Sequence, residues 1–381
     1  MLKNSELGKI LHIQEITTRI RAFDRSEKEV LAKQWQNLES RANCSVFLSW
    51  LWIGHWLELV SDNMFVIEAY QNEQLVGLGV FVENYRKLFG VLPIKQWHLH
   101  RTGNVKQDQI WIEYNDFLLA DNVANEVRLS MVEALYRHDK SLKEMVIGLS
   151  SEKVLSCFEQ HFTQSSLLIE SLGYVVDFSS IEKNYLQEVL SKNTRSQVNR
   201  SNKILNQLGE LSFKLVTKPD EINTLYKDIA KIHIERWGNT EEGSGFSNKV
   251  FTTFHQQLIN NDDTGTVQIA VLSLNNSPIG YLVNYVYKQK VYFYLSALTT
   301  FSSNKIKVGL TLHEKTISHY ENLNIKSYDF LGGDARYKRS LSNQSYELAL
   351  CSFSRNDWLL IIESQLKYLK NQIKLLFNKA T

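Results

Sequence analysis

Cysteine is scarce in this 381-residue chain: Cys44, Cys157 and Cys351 stand far apart, with no Cys-x-x-Cys pair among them. An odd, scattered set argues against a disulfide framework or a zinc site and points to a reducing compartment. His98 and His100 share a strand face with no third ligand nearby, so no metal is expected there. Excess charge is missing too. Lys and Arg number 43 against 41 Asp and Glu, a formal net charge of +2, which gives no reason to expect nucleic acid as the main partner. No apolar run approaches the roughly 20 residues that span a bilayer. The opening Met1-Leu-Lys-Asn-Ser-Glu-Leu-Gly-Lys has no uninterrupted apolar core and does not read as a secretion signal, so a cytoplasmic protein is expected. The length suffices for two or three domains, each with its own core.

The stretch from Val291 to Arg339 is the most informative. A strand-like run, Val291 to Ala297, leads into the polar loop Thr299-Thr-Phe-Ser-Ser-Asn-Lys-Ile-Lys-Val-Gly309. A helix follows, with Leu310, Leu312, Ile317 and Tyr320 at helical spacing, then a strand from Lys326 to Leu331 that breaks at Gly332-Gly333. A polar loop opening a helix is an anion cradle, because unpaired amides and the positive end of the helix dipole face whatever sits there. Ser303, Asn304, Lys305, Lys307, Val308 and Gly309 are therefore the candidate residues for a phosphate-bearing cofactor. Upstream lie strands Thr266 to Leu274 and Ile279 to Tyr287, joined by the turn Asn275-Asn-Ser-Pro278. Helix signals cover Asp220 to Arg236 and Val250 to Asn260, and strand Ser212 to Val216 precedes them.

That order (strand, two helices, three strands, anion loop, helix, strand) resembles the GNAT acyltransferase fold. In that family the loop after the fourth strand holds the coenzyme A pyrophosphate, usually as Arg/Gln-x-x-Gly-x-Gly/Ala. Here only Gly309 is clearly in place. Four further pieces resemble the tandem-GNAT acetyltransferases encoded beside cellulose and exopolysaccharide genes, related in fold to Fem-type peptidyltransferases. They are Phe47-Leu-Ser-Trp-Leu-Trp52, Arg195-Ser-Gln-Val-Asn-Arg200, His233-Ile-Glu-Arg-Trp237 and Tyr328-Asp-Phe-Leu-Gly-Gly-Asp-Ala-Arg-Tyr-Lys338. The resemblance implies an α/β fold of two GNAT-like domains, each a mixed, mostly antiparallel sheet flanked by helices. The expected limits are a degenerate domain at 1–180, a catalytic domain at 181–355 and a C-terminal helix at 356–381. It also implies acetyl-CoA or another acyl-CoA as donor.

Catalysis in such a fold is mostly positioning of a thioester carbonyl beside an amine, with a base or water taking the proton. The candidates are Asp334 just past the fifth strand of the catalytic half, Asp329 within it, and Tyr294 on the fourth. For each a structural role competes: turn residue, buried capping carboxylate, half-buried aromatic. Tyr337 and Lys338 could anchor acceptor or cofactor, and Arg236 and Trp237 end a helix before the glycine-rich loop 238–245. Asn184 to Leu208 reads as one long helix whose Lys192, Arg195, Arg200 and Lys203 share a face. That face is either solvated or meets an anionic acceptor, gripped by the forks of Arg195 and Arg200.

The first half shows the same element order. Helix signals lie at 26–36 and 45–60, strands at 64–70, 76–83, 95–100 and 110–119, a helix at 123–137 and a strand at 144–149. Its junction Ala120-Asp-Asn-Val-Ala-Asn-Glu126 carries acid and lacks glycine, the wrong chemistry for phosphate. Glu113 and Asp116 alternate badly for one strand face, yet one of them could reach the cleft. The C-terminal Asp357 to Lys379 is amphipathic, with Trp358, Ile362, Leu366, Leu369, Ile373 and Leu376 in one stripe, either packed on the first domain or lying on a membrane surface. The leading functional expectation is an acyl-CoA-dependent N-acyltransferase acting on an amino group of a sugar or envelope precursor. Aminoacyl-tRNA-dependent peptidyl transfer and a non-catalytic accessory role in polysaccharide assembly stand beside it.

Overall fold

The computed structural model describes residues 15–60, 63–240, 243–366 and 369. The first half runs β1 (Ile16–Ala22), α1 (Lys28–Glu39), α2 (Trp50–Leu59), β2 (Met64–Gln71), β3 (Gln74–Leu88), β4 (Leu92–Leu99), β5 (Leu118–Leu119), α3 (Ala124–His138), β6 (Glu144–Ser150), α4 (Glu152–Glu159) and β7 (Gln164–Asp177). The second runs α5 (Tyr185–Glu188), α6 (Lys192–Leu208), β8 (Leu211–Val216), α7 (Pro219–Trp237), α8 (Lys249–Asn260), β9 (Val267–Leu274), β10 (Ser277–Tyr287), β11 (Lys290–Leu298), α9 (Val308–Glu321), β12 (Ser327–Gly332), α10 (Arg336–Leu341) and β13 (Gln344–Ser354). Local chemistry sets many of these limits. Asn72-Glu73 and Asn275-Asn276 take the left-handed backbone that two-residue hairpins require. Ser49, Ser191 and Asn248 cap α2, α6 and α8 through their side chains, and Pro219 opens α7.

The strands form one continuous mixed sheet in the order β1-β2-β3-β4-β6-β13-β7-β12-β11-β10-β9-β8, with β5 beside β3. Pairing is antiparallel except at β4–β6 and β11–β12. The halves exchange their last strands. β7, from the first half, pairs with β12, while β13, from the second, pairs with β6. The two exchanged strands pair with each other from Gln344–Val175 to Ser354–Gln164. A boundary near residue 180 therefore does not separate two sheets.

A single apolar core crosses between the halves. Trp52 of α2 meets Phe254 of α8 and Tyr285 of β10 edge to face, at centroid distances of 4.9 and 5.3 Å. Such pairs contribute ~0.5–1.5 kcal/mol each beyond the burial of their area. A second cluster beneath α5, α6 and α9 belongs to the second half, apart from β7's Tyr174 and Val176.

Three expectations fail. Residues 110–117 are not a strand: only Leu118–Leu119 pair with β3, and the rest is a loop. The helix expected over Asn184 to Leu208 is broken into α5 and α6, because Ser191 begins a new cap. The C-terminal stripe is not the packed face. Helical residues run over 358–366, where Leu359 and Leu360 pack on Leu88 and Ile94. Arg86 ties the helix down, bridging Glu144 at 2.6 Å and Glu363 at 2.7 Å. Trp358, Ile362, Leu366 and Leu369 face outward, at 40–67% exposure. Ile373 and Leu376 lie outside the described residues. No helix among the described residues is long and apolar enough to cross a membrane.

Candidate active site

Each half contains a wedge where its two parallel strands part. In the second half, β11 and β12 pair only from Lys290–Ser327 to Tyr292–Asp329. Beyond that point Tyr294 is an extra residue on β11, since Phe293 faces Asn284 and Leu295 faces Val283. Such a bulge bends the strand and leaves ladder amides unpaired. In the first half, β4 and β6 pair from Gln96 to Leu99 with Glu144 to Ile147 and then part.

The two wedges are filled differently, and one loop serves both. In the first, the His100 and Asn115 side chains bond each other at 2.9 Å. Asn115 donates to Leu99 O at 2.7 Å, and His100 Nε2 accepts from Val80 N. Burial pushes the His100 pKa down to about 4, so it stays neutral. Every polar group named there is satisfied inside the protein.

Two residues earlier, the same loop reaches the second wedge. Glu113 Oε2 accepts from Gly332 N at 2.7 Å at the end of β12. A Cβ at Gly332 would stand 2.4 Å from Ser171 Oγ and 3.3 Å from the Glu113 carboxylate, so the glycine makes room for that contact. Glu113 is buried, and burial raises its pKa to about 7. The Gly332 amide opposes the rise, the charge of Asp329 adds to it, and Lys338 opposes it. Burial raises the Tyr294 pKa, and the Glu113 charge adds to the rise.

The sequence-derived candidates fare unequally. Asp329 is buried and accepts from Tyr346 Oη at 2.6 Å, from Leu331 N at 2.8 Å and from Tyr114 Oη. Burial raises its pKa against those bonds. With its carboxylate occupied from three sides, it braces the loop that carries Glu113. Tyr294 Oη lies 3.2 Å from His255 Nε2, and Tyr285 Oη lies 2.9 Å from His255 Nδ1. Burial holds His255 neutral, its pKa pushed down to about 3. Lys338 is buried and donates to Gly332 O at 2.5 Å and Leu331 O at 3.2 Å; burial lowers its pKa while Glu113 and Asp329 raise it. Tyr337 stacks on His313 at 5.5 Å. Burial pushes its pKa up to about 12, opposed by nearby Arg236. Arg236 itself lies 5.0 Å over the exposed Trp237 ring.

Asp334 requires correction. It is exposed, accepts from Tyr174 Oη at 2.7 Å and pairs with Arg339 at 2.6 Å, bonds that hold its carboxyl below the usual range. An exposed, stably ionised carboxylate is a poor proton acceptor for a sheltered amine. Asp334→Asn is expected to leave turnover within about threefold of wild type in a steady-state assay, a change under 1 kcal/mol. Arg195 is also reassigned. Its Nη1 donates to the carbonyls of Leu186, Gln187 and Leu190, closing the C-terminal end of α5, so that group is not free to grip phosphate. Arg200, Lys192 and Lys203 are exposed.

The anion loop ends at α9. Lys307 occupies the N-cap without a side-chain cap bond, and its own amide donates to Ser201 Oγ of α6 at 2.9 Å. The amides of Val308, Gly309 and Leu310 in the first turn have no intrahelical acceptor by geometry. Asn304, Lys305 and Lys307 are exposed, Val308 is buried, and Ser303 receives the Lys305 amide at 3.4 Å. Gly280 of β10 lets this helix end approach, since a Cβ there would lie 2.9 Å from Val308.

Residues 192–339 match the family described as the acetyltransferase (GNAT) domain. This part of the chain is a GNAT domain. That match supports an acyltransferase. Solved structures share the fold over nearly the whole chain. FemX matches at 10% identity and TM-score 0.57, covering 91% of this chain and 100% of its own. The C-terminal domain of a putative lysylphosphatidylglycerol synthetase from Agrobacterium fabrum matches at 11% identity and TM-score 0.52, with coverage of 89% and 96%. L-PGS from Bacillus licheniformis matches at 9% and 0.51, with coverage of 92% and 98%. These likenesses are of fold. No curated protein matches the sequence. Glu113 lies outside the GNAT domain and is supplied to its wedge by the first half. Its only sequence signal was an acidic residue that fitted no strand face.

Proposed function

We propose that the protein is an acyl-CoA-dependent N-acyltransferase acting on an amino group of a sugar or other cell-envelope or exopolysaccharide precursor, with Glu113 as the base. The observation that supports this best is a buried carboxylate, its pKa raised to about 7, that accepts from the Gly332 amide at the end of β12 in the GNAT domain. A base poised near neutrality is ionised often enough to take a proton and basic enough to hold it. Amides along β11 past Tyr292 face the wedge without a β12 partner and suit a carbonyl oxygen that gains charge. Acyl-CoA, when bound, supplies the activated acyl group. The uncapped first turn of α9 fits its pyrophosphate, with Lys305 and Lys307 adding charge at the rim. Glu113 takes the proton of the attacking amine, and Lys338 holds the Gly332 carbonyl so that the amide beside it stays on Glu113. Exposed Arg200 and Lys203 of α6 offer cations to an anionic acceptor.

Thermal-shift titration with coenzyme A, acetyl-CoA and long-chain acyl-CoA tests the donor, since a ligand of the folded state raises the midpoint with its affinity. Gly309→Asp is expected to weaken coenzyme A binding by calorimetry at least tenfold, about 1.4 kcal/mol, by setting a carboxylate at the helix N-terminus. Unchanged affinity would remove α9 from the donor site. The loop around Gly309 departs from the usual coenzyme A signature, and aminoacyl-tRNA is the alternative donor. Charged tRNA raising the midpoint where every acyl-CoA fails would replace the first reading with it.

A further inference from the structure

The tip of the β3–β4 hairpin breaks a local rule. Val91 N donates to Leu88 O at 3.1 Å, closing a turn in which Phe89 has φ +50° and Gly90 φ +78°. Asn or Gly is the usual first residue of such a turn, and a bulky aromatic residue there is strained. The ring is not repaid by burial: Phe89 is 47% exposed, Val91 74% and Leu92 43%. A position that departs from local propensity without a packing gain is characteristic of a functional surface.

The outward stripe of the C-terminal helix shares the same support. Leu88 and Ile94, on either side of the tip, pack with Leu360, and Arg86 of β3 holds Glu363. Two exposed apolar sets, one on a hairpin tip and one on a helix, are thus fixed to the β3–β4 hairpin. The sequence that continues from the helix, residues 367–381, contains four Lys (Lys367, Lys370, Lys374 and Lys379) and no Asp or Glu. Lys87, beside the tip, is exposed.

We infer that Phe89, Val91 and Leu92 of the hairpin tip, with Trp358, Ile362 and Leu366 of the C-terminal helix, dock the protein on an anionic lipid surface. A projecting tip and an in-plane amphipathic helix together suit an interface into which apolar side chains dip by part of their length. The cations of residues 367–381, with no Asp or Glu among them, match anionic headgroups, which attract Lys within a Debye length. The inference is independent of the chemistry proposed for the wedge.

Co-sedimentation of the full chain with phosphatidylcholine vesicles, with and without phosphatidylglycerol, tests it. Binding is expected to the phosphatidylglycerol vesicles and to weaken with added salt. Phe89→Ser with Val91→Ser, and separately Trp358→Ser with Ile362→Ser, should each lower the vesicle partition coefficient by roughly tenfold or more. Both double variants alter exposed side chains, so an unchanged melting midpoint is the check on folding. No binding to either vesicle, or equal binding by wild type and both variants, would overturn the inference. So would light scattering that shows a dimer abolished by these same substitutions without any vesicle binding, because the patch would then join two copies of the chain.

Discussion

Glu113→Gln is expected to lower kcat by about a hundredfold to ten-thousandfold, the usual contribution of a positioned base. Binding of acyl-CoA should be almost unchanged, because α9 and its loop lie in another part of the GNAT domain. The amide isostere can still accept from Gly332 N, so the wedge keeps its shape. The wild-type rate should rise with pH through about 7 as Glu113 ionises, and the variant should lose that limb. Stability carries the opposite sign. Burial raises the Glu113 pKa to about 7 in the fold from an ordinary 4.5, so the folded state binds the proton more tightly. That contribution is complete below about 4.5 and is lost as pH rises through about 7. A shift of this size corresponds to roughly 3 kcal/mol. Glu113→Gln should therefore flatten the decline of the melting midpoint across that window while turnover falls. A variant that turns over at the wild-type rate would exclude Glu113 as the base.

Phe353→Ala is expected to destabilise the whole chain by about 3–5 kcal/mol, the range for emptying a large aromatic site in a core. Phe353 is fully buried on β13 and stacks on Phe158 of α4 at 5.2 Å. A residue near the end of the second half thus completes the core of the first. Denaturant unfolding followed by tryptophan fluorescence and by backbone circular dichroism should show one coincident transition, moved to lower denaturant. Two separated transitions, with only one of them moved, would mean that the exchanged strands do not couple the halves.

Much of the second half was readable because its strands are short, apolar and bounded by turn residues. Asn275-Asn-Ser-Pro278 and the helix over Asp220 to Arg236 announced themselves locally, and the element order they produced led to the fold. The exchanged strands gave no such signal. β7 begins with exposed residues, among them Leu167, Leu168 and Ile169 at 40–59% exposure, so its apolar pattern marks no single face. Its partners, β12 and β13, are remote in sequence. The site was half legible. The motif through Lys338 drew attention to the end of β12, where Glu113 meets the Gly332 amide, yet residue order cannot show which way a side chain points. Asp334 turned outward to Arg339, and the carboxylate in the wedge came from a loop more than two hundred positions earlier. Glu113 looked unplaceable because it lies on no strand; that irregularity is what lets the loop cross from one wedge to the other.

The exchanged strands also have a consequence for synthesis on the ribosome. β6 ends at residue 150, but the neighbour that completes its sheet begins at residue 344. At 5–20 residues per second, the intervening stretch takes roughly 10 to 40 s to translate. Throughout that interval the nascent first half presents an open strand edge and the bare apolar surface of α4 that Phe353 later covers. Hairpins form in microseconds, so this wait, rather than local folding, sets the period during which the chain can pair wrongly with a neighbour.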